Sequence, residues 1–508
     1  MLSVENDPFR EQRDARKLVL PVVTHATADI TVLEQPDGSF PVKVEHEREG
    51  VSHSITYYIK PEDRVIVPDD SVYNFPFLFD KDGTPWNEAN QYLFSLATNT
   101  SELGTGTVGL RRNASRLLDY KIFCESEGLD YLDFSGRRPA NRPTYKYYHF
   151  LWKNGQIGAE NINQRTGVVY SFYKWLSKQL GYDIDMERVD TVKSFKLLIS
   201  TGTGSYMKEL EKRSQTLSTS SDPKPVAMGY VRDEGEDLRP LTKAQSSLLI
   251  DTIRPTLSED GVVTDSPFDV DEQLMCLFAL TTGARKQSIL TLRAKHLKQF
   301  TEKDLRNDGT YELRAGPGTG IDTKFNTRQR LYIPKNLLDE LRIYFGSPLA
   351  AKRRKKFEMD YMNKYPDLLP ISEDDMYVFL SEQGHCFYMA KDDPRYVRAK
   401  SPPIGQRTTS LKNKLLKFLP DSFPRDFTFH WLRATFALEY YNWLVPLVTK
   451  GKMTPSEQFD LVRRRLHHKN RETTENYLKL FADISDAKSA QELYESRLFD
   501  VFDISWKA

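Results

Sequence analysis

Four fragments of this 508-residue chain hold residue types that suit chemistry on an anion. Arg285 stands in "ALTTGARKQSILTLR", an apolar helical stretch where a charged side chain is seldom buried without a partner. Lys324 stands in "GIDTKFNTRQRLYIP", in a turn ahead of a strand. His430 and Arg433 of "FTFHWLRATFALEYY" are three apart, hence on one helix face, amid Phe, Trp and Leu. His468 and Tyr477 fall nine residues apart in "LHHKNRETTENYL". Guanidiniums hold anions by permanently charged contacts, imidazole and amine groups move protons, and a phenol can attack. Each fragment alone has a plainer reading. A tyrosine opening an apolar helix is usually core, and paired histidines on a polar stretch are usually solvated.

In this order and in these contexts the fragments resemble the tyrosine recombinases, also called phage integrases. The resemblance covers residues 238–480, extends more weakly over 84–180, and leaves 1–80 outside. It implies that Arg285, Lys324, His430, Arg433, His468 and Tyr477 form the catalytic set. Tyr477 would attack a DNA phosphodiester, leaving a 3′-phosphotyrosyl link and a free 5′ hydroxyl. Arg285 and Arg433 would hold the non-bridging oxygens of the crowded phosphorane. Lys324 would protonate the departing 5′ oxygen, a lysine among cations being one whose pKa can fall. His430 would accept the tyrosine proton, and His468 would donate a hydrogen bond to the phosphate. The link conserves bond energy, so no cofactor, ATP or metal is implied. The implied protein is a site-specific recombinase, the integrase of a mobile element, working on double-stranded DNA as a homotetramer through a Holliday junction, with accessory DNA-bending or directionality factors. The same residues would serve a telomere resolvase or a type IB topoisomerase-like enzyme. A catalytically inactive DNA-binding accessory protein is the reading from another class.

Some positions depart from the family's pattern. Ser288 stands where an acidic residue usually helps orient the arginine, and Ala434 where a second histidine is frequent. His467 occupies a position that is commonly glycine, so it is assigned to the scaffold and His468 to the phosphate. The Thr-Thr-Glu-Asn stretch would cap the short helix that carries Tyr477. The interval from Lys324 to His430 is long and reads as an insertion, containing the basic run 352–356 and a Pro-rich loop at 401–405. After Tyr477 the tail "SAQELYESRLFDVFDISW" gathers Leu493, Leu498, Phe499, Val501, Phe502, Ile504 and Trp506. Exposed, they would form a costly apolar patch. The resemblance implies that the tail docks on a neighbouring protomer; folding back on its own domain is the alternative.

The elements needed to position these groups are mainly helical with small β parts. A β-rich, acidic N-terminal domain is expected over 1–82, from two alternating runs around Pro-Asp-Gly in "DITVLEQPDGSFPVKVEHE" and a third strand in "HSITYYIKP". A helical, core-type DNA-binding domain is expected over 83–200, opening with Thr84 as N-cap and Pro85 at the first helical position. Residues 201–237, rich in Gly, Ser, Thr and Pro, read as a linker. The catalytic domain spans 238–480, mixed α/β but mostly helical, with a strand pair around "TYELRAG" and "RQRLYIP", and the tail spans 481–508. Charge is segregated: 9 Lys and Arg against 16 Asp and Glu in 1–82, 15 against 12 in 84–200, and 25 against 16 in 342–480. A basic part on a near-neutral chain points to an anionic partner, with nucleic acid leading. Candidate DNA contacts are Arg111, Arg112, Lys146, Lys153, Arg165, Lys352, Arg353 and Arg354. In "RPTYKYYHFLWKNGQ" the basic and aromatic residues interleave as a phosphate-facing surface or as a helix packing its aromatics inward. Three scattered cysteines without a CxxC argue against a disulfide scaffold or structural zinc. With no apolar leader and no long apolar run, the expected location is cytoplasmic, on the nucleoid when DNA-bound, with no membrane partner.

Overall fold

Apolar side chains in "KLVLPVV" and "VYNFPFL" make two strands that pair across a long stretch of chain, Lys17 opposite Leu78 and Val23 opposite Val72. In the computed structural model, the described residues are 8–24, 40–48, 51–59, 71–98, 107–153, 157–201, 204–219, 230–233, 236–257, 263–468 and 474–475. The chain divides into two compact units, Met1–Lys224 with Val397–Ser401, and Pro225–Tyr396 with Pro402–Ala508. It is mainly α, with small two-stranded sheets.

In the first unit, α1 (Arg10–Ala15) leads into β1 (Lys17–Val23), which pairs with β4 (Val72–Leu78); β2 (Phe40–Arg48) and β3 (Val51–Ile59) form a hairpin. Helices α2 (Asn87–Ala97), α3 (Val108–Ser126), α4 (Pro143–Lys153) and α5 (Ala159–Gln179) enclose one core. Leu117, Leu118, Ile122, Phe123, Val169, Phe172 and Leu176 are buried in it, as their helical spacing predicts. Phe9, Val72, Phe75 and Leu78 lie in that same core. The expectation of a separate β domain over 1–82 is therefore corrected for its described parts. One face of β4 is apolar, and the helices bury it. Arg16 fastens the join by a fork on the Glu125 carboxylate, at 2.6 and 2.9 Å. The run "DITVLE" lies outside the described residues.

Two further boundaries move. Helix α2 begins after Trp86 rather than Thr84: the Asp82 carboxylate takes the Thr84 N–H and hydroxyl, and Pro85 bridges to Phe79. The expected linker 201–237 is partly regular structure. After α6 (Met186–Val189), β5 (Val192–Thr201) pairs with β6 (Gly204–Arg213), followed by α7 (Ser214–Ser218). Val192 stands opposite Arg213 at the base of that hairpin.

In the second unit, β7 (Val231–Asp233) pairs with β8 (Glu236–Leu238), and α8 (Lys243–Ile253) starts in a capping box between Thr242 and Gln245. A short pair, β9 (Thr256–Leu257) and β10 (Val263–Thr264), precedes α9 (Val270–Thr282), the buried axis of the unit. Its Leu274, Met275, Cys276, Phe278 and Ala279 are enclosed, and it packs against α12 (Lys335–Gly346) and α15 (Trp431–Thr449). Short helices α10 (Lys286–Leu290) and α11 (Ala294–Lys298) follow it, then the expected strand pair, β11 (Thr310–Ala315) and β12 (Gln329–Pro334). Helices α13 (Pro348–Lys364), α14 (Arg407–Phe418) and α16 (Pro455–Leu466) complete the unit. The long interval between Lys324 and His430 is built into this core. Arg353 of α13 reaches the fully buried Asp271 of α9 at 3.2 Å, and Arg407 and Lys414 of α14 close on Glu272 at 2.9 and 2.6 Å. Among the described residues no helix is long and apolar enough to cross a membrane.

Candidate active site

The end of α9 explains the "TTGAR" stretch. Thr282 returns its hydroxyl to the Phe278 carbonyl and accepts the Ala284 N–H, closing the helix. Gly283 then takes a left-handed turn at φ +65°, where an added Cβ would stand 2.5 Å from the Phe436 ring of α15. Only glycine allows both the turn and the close approach. The chain leaves it extended, with Arg285 as the residue before α10. Arg285 thus points from a rigid corner rather than from the middle of a helix.

Arg433, 2% exposed, ties three elements together. Its Nη1 donates to the Gly283 carbonyl and its Nη2 to the Leu466 carbonyl. Those carbonyls lie two residues before Arg285 and two before His468. The guanidinium fork therefore spaces the two flanks of the site as well as charging it. His430 sits one turn away, at the start of α15.

The Lys324 loop is strapped shut. Thr323 donates to the Thr327 carbonyl, and Thr327 to the Lys324 carbonyl at 3.1 Å. At its tip Phe325 and Asn326 both have left-handed backbones, φ +56° and +51°, which is rare for an aromatic residue. Phe325 is 77% exposed, and the Lys324 ammonium lies 5.0 Å from its ring centre.

Arg285, Lys324, His430 and Arg433 line one cleft of about 440 Å³, with Ala284, Lys286, Gln287, Thr408, Thr409, Lys412, Thr428 and Phe429. Among the described residues, no carboxylate is in this lining. The field inside is positive, and a low-dielectric wall strengthens it. Lys286 and Lys412 were not singled out from the sequence. Lys286 follows Arg285 directly, but Lys412 lies in "SLKNKLLK", which reads equally well as a solvated helix face. Among the described residues no group of three or more His, Cys, Asp or Glu side chains is placed to hold a metal ion.

The two adjacent histidines separate as their positions suggested. His467 ends α16 in a left-handed turn, φ +55°, and its Nε2 meets the Arg330 backbone of β12, with the N–H and the carbonyl each at 2.9 Å. His468 is 8% exposed, with Nδ1 3.0 Å from the Thr474 hydroxyl, and Thr474 is fully buried. Burial, then the charges of Arg433 and Arg285, push the His468 pKa down to about 2. His468 is therefore neutral. In the tautomer whose Nδ1 accepts from Thr474, Nε2 carries the proton and is a donor. Thr474 and Glu475 are helical, in line with a short helix there; Tyr477 and the tail 481–508 lie outside the described residues.

His467, and the structural His296 of α11, are pushed down to about 4, in both cases mainly by burial. Their folded pKa values lie below the ordinary 6.5, so the stability they support is full above that value and is lost as pH falls through it. Each should cost about 1.4 kcal/mol of stability between pH 7.5 and 5.5. Thermal melts at the two pH values should show a smaller loss for His296→Gln than for the unaltered protein; equal losses would remove His296 from this account.

The DNA-contact candidates divide. Arg112, Lys153 and Lys352 are exposed, and Arg111 and Lys146 are half-buried. Two expectations are corrected. Arg165 pairs at 2.7 Å with Asp119, which is 1% exposed and also held by Arg13. Arg353 is 4% exposed, committed to Asp271, the Tyr344 hydroxyl and the Leu380 carbonyl. A buried carboxylate needs such partners. Arg354 donates to the Phe345 carbonyl and stacks 3.9 Å from the centre of that ring. In α4, Tyr147 and Leu151 pack inward while Trp152 is half-exposed, so "RPTYKYYHFLWK" faces both ways.

No family model matches the sequence, and no curated protein does. Solved structures to which the chain is similar are those of the Tn1549 transposon integrase (residues 82–397), one with transposon right end DNA and two with circular intermediate DNA. The similarity covers 77% of this chain and 93–94% of theirs, at 12–14% identity and TM-scores of 0.35–0.37.

Proposed function

We propose that this protein is a DNA strand-exchange enzyme of the tyrosine-recombinase kind, the integrase of a mobile element, acting as four protomers on two DNA sites through a Holliday junction. The observation that carries this reading is the convergence of Arg285, Lys324, His430 and Arg433, from separate segments, on one cleft with no carboxylate in its lining among the described residues. A phosphodiester bound there gains negative charge as a fifth oxygen approaches phosphorus, and preorganised cations act most strongly at that point. The Tyr477 oxygen forms the new P–O bond and its proton passes to His430. The bond to the 5′ oxygen breaks, and that oxygen takes a proton from Lys324. His468, neutral and held by Thr474, donates from Nε2 to a non-bridging oxygen. The reverse attack by a 5′ hydroxyl of the partner strand completes exchange.

The test uses nicked duplexes tiled across the DNA that flanks the gene, so that the short cleaved fragment diffuses away and traps the intermediate. A protein–DNA adduct stable on a denaturing gel, with a free 5′ hydroxyl on the released strand, is expected. Binding with no adduct on any tile would overturn the proposal in favour of a DNA-binding accessory protein.

A further inference from the structure

Ser288 does not stand in for the acidic residue whose place it takes. Its hydroxyl, in a side chain only 1% exposed, donates to the Asp322 carbonyl at 2.8 Å. One helical turn on, the fully buried Thr291 accepts the Asp322 N–H at 3.0 Å while donating to the Gln287 carbonyl at 2.7 Å. Both main-chain groups of Asp322 are thus held by side chains that leave α10, two residues before Lys324. A third hold comes from the Asp322 carboxylate, which accepts the Lys391 N–H at 3.3 Å. Beyond the loop, His467 holds Arg330.

We infer that Ser288 and Thr291 are positioning residues for Lys324: together they fix the stem of its loop to the helix that follows Arg285, and so set the distance between the proton donor and the cationic cleft. This rests on the reading of Lys324 as the acid for the 5′ oxygen. Inside the loop, the Thr323 and Thr327 hydroxyls close the turn but do not tie it to α10. Its tip is exposed, and a lysine side chain has four rotatable bonds that only a well-held backbone can aim. Loss of about an ångström in such placement costs on the order of 10²-fold in rate.

Chemistry supplies a readout that general damage would not move. If the scissile 5′ bridging oxygen is replaced by sulfur, the leaving group departs as a thiolate and needs no proton. Full-length protein would be compared on oxygen- and sulfur-bridged nicked duplexes as Ser288→Ala, Thr291→Val and Lys324→Ala. Thr291→Val keeps the shape and removes only the hydroxyl, and Thr291→Ser should restore function. The expected result is that Ser288→Ala and Thr291→Val cleave the oxygen substrate about 10- to 100-fold more slowly, bind DNA normally, and cleave the sulfur substrate at nearly the unaltered rate. Equal losses on both substrates, or no loss on either, would overturn the inference. The outcomes also separate it from the reading beneath it. If Lys324→Ala is not rescued by sulfur, Lys324 is not the acid. If the unaltered protein cleaves neither substrate, the strand-exchange reading itself fails.

Discussion

Tyr477→Phe should eliminate the covalent adduct and lower strand cleavage by roughly 10⁴-fold or more, because it removes the proposed nucleophile, the oxygen that would form the bond to phosphorus. The substitution removes one oxygen and leaves the ring, so DNA binding should stay within about twofold, which a native gel at fixed salt would check. Thr474, three positions earlier, is fully buried and bonded to His468, and Arg433 grips the carbonyl of Leu466, two positions before that histidine. Replacing Thr474 should lower the rate without abolishing the adduct, whereas Tyr477→Phe should abolish it. An adduct that persists in Tyr477→Phe would show the nucleophile to be another residue, and mapping the linked peptide would identify it.

Much of this site could be read from local sequence, and the reason is physical. Thr-Thr-Gly before Arg285 encodes a helix end with a left-handed turn, and that turn is a property of adjacent residues. The strand pair around the Lys324 loop shows as period-2 alternation. His467 stands at a position where glycine is usual, and the structure puts a left-handed backbone there. What stayed hidden depends on partners far along the chain. A basic residue reads the same whether or not a carboxylate waits elsewhere, so Arg353 and Arg165 read as candidate DNA contacts until Asp271 and Asp119 were placed beside them. The pairing of β1 with β4 joins segments separated by 48 residues, and no short window contains it. Ser288 reads only as a departure from an acidic residue for a related reason: its type says that it can donate, but not that its acceptor is a backbone carbonyl 34 positions away.

Arg433→Ala should damage fold and chemistry together, and that coupling distinguishes it from the other cations of the cleft. The guanidinium satisfies the buried Gly283 and Leu466 carbonyls at once. Removing it leaves both acceptors without that donor, a loss of about 2–4 kcal/mol taken over the two groups. It also takes away one of the two guanidiniums proposed to meet the developing charge, for which about 3–4 kcal/mol, or 10²–10³-fold in cleavage, is the usual scale. Arg433→Lys separates the terms. Lysine keeps the charge near the cleft, but its single ammonium cannot span two carbonyls that approach a planar fork from different helices. The lysine variant should therefore regain part of the cleavage rate while melting almost as early as the alanine variant. Lys412→Ala, at the rim of the same cleft, should weaken cleavage modestly and leave the melting point unchanged. Melting curves and single-turnover cleavage on the nicked duplex would decide between these. An Arg433→Lys protein as stable as the unaltered one would mean that the two carbonyl bonds do not hold the flanks of the site. The guanidinium would then act on the phosphate alone.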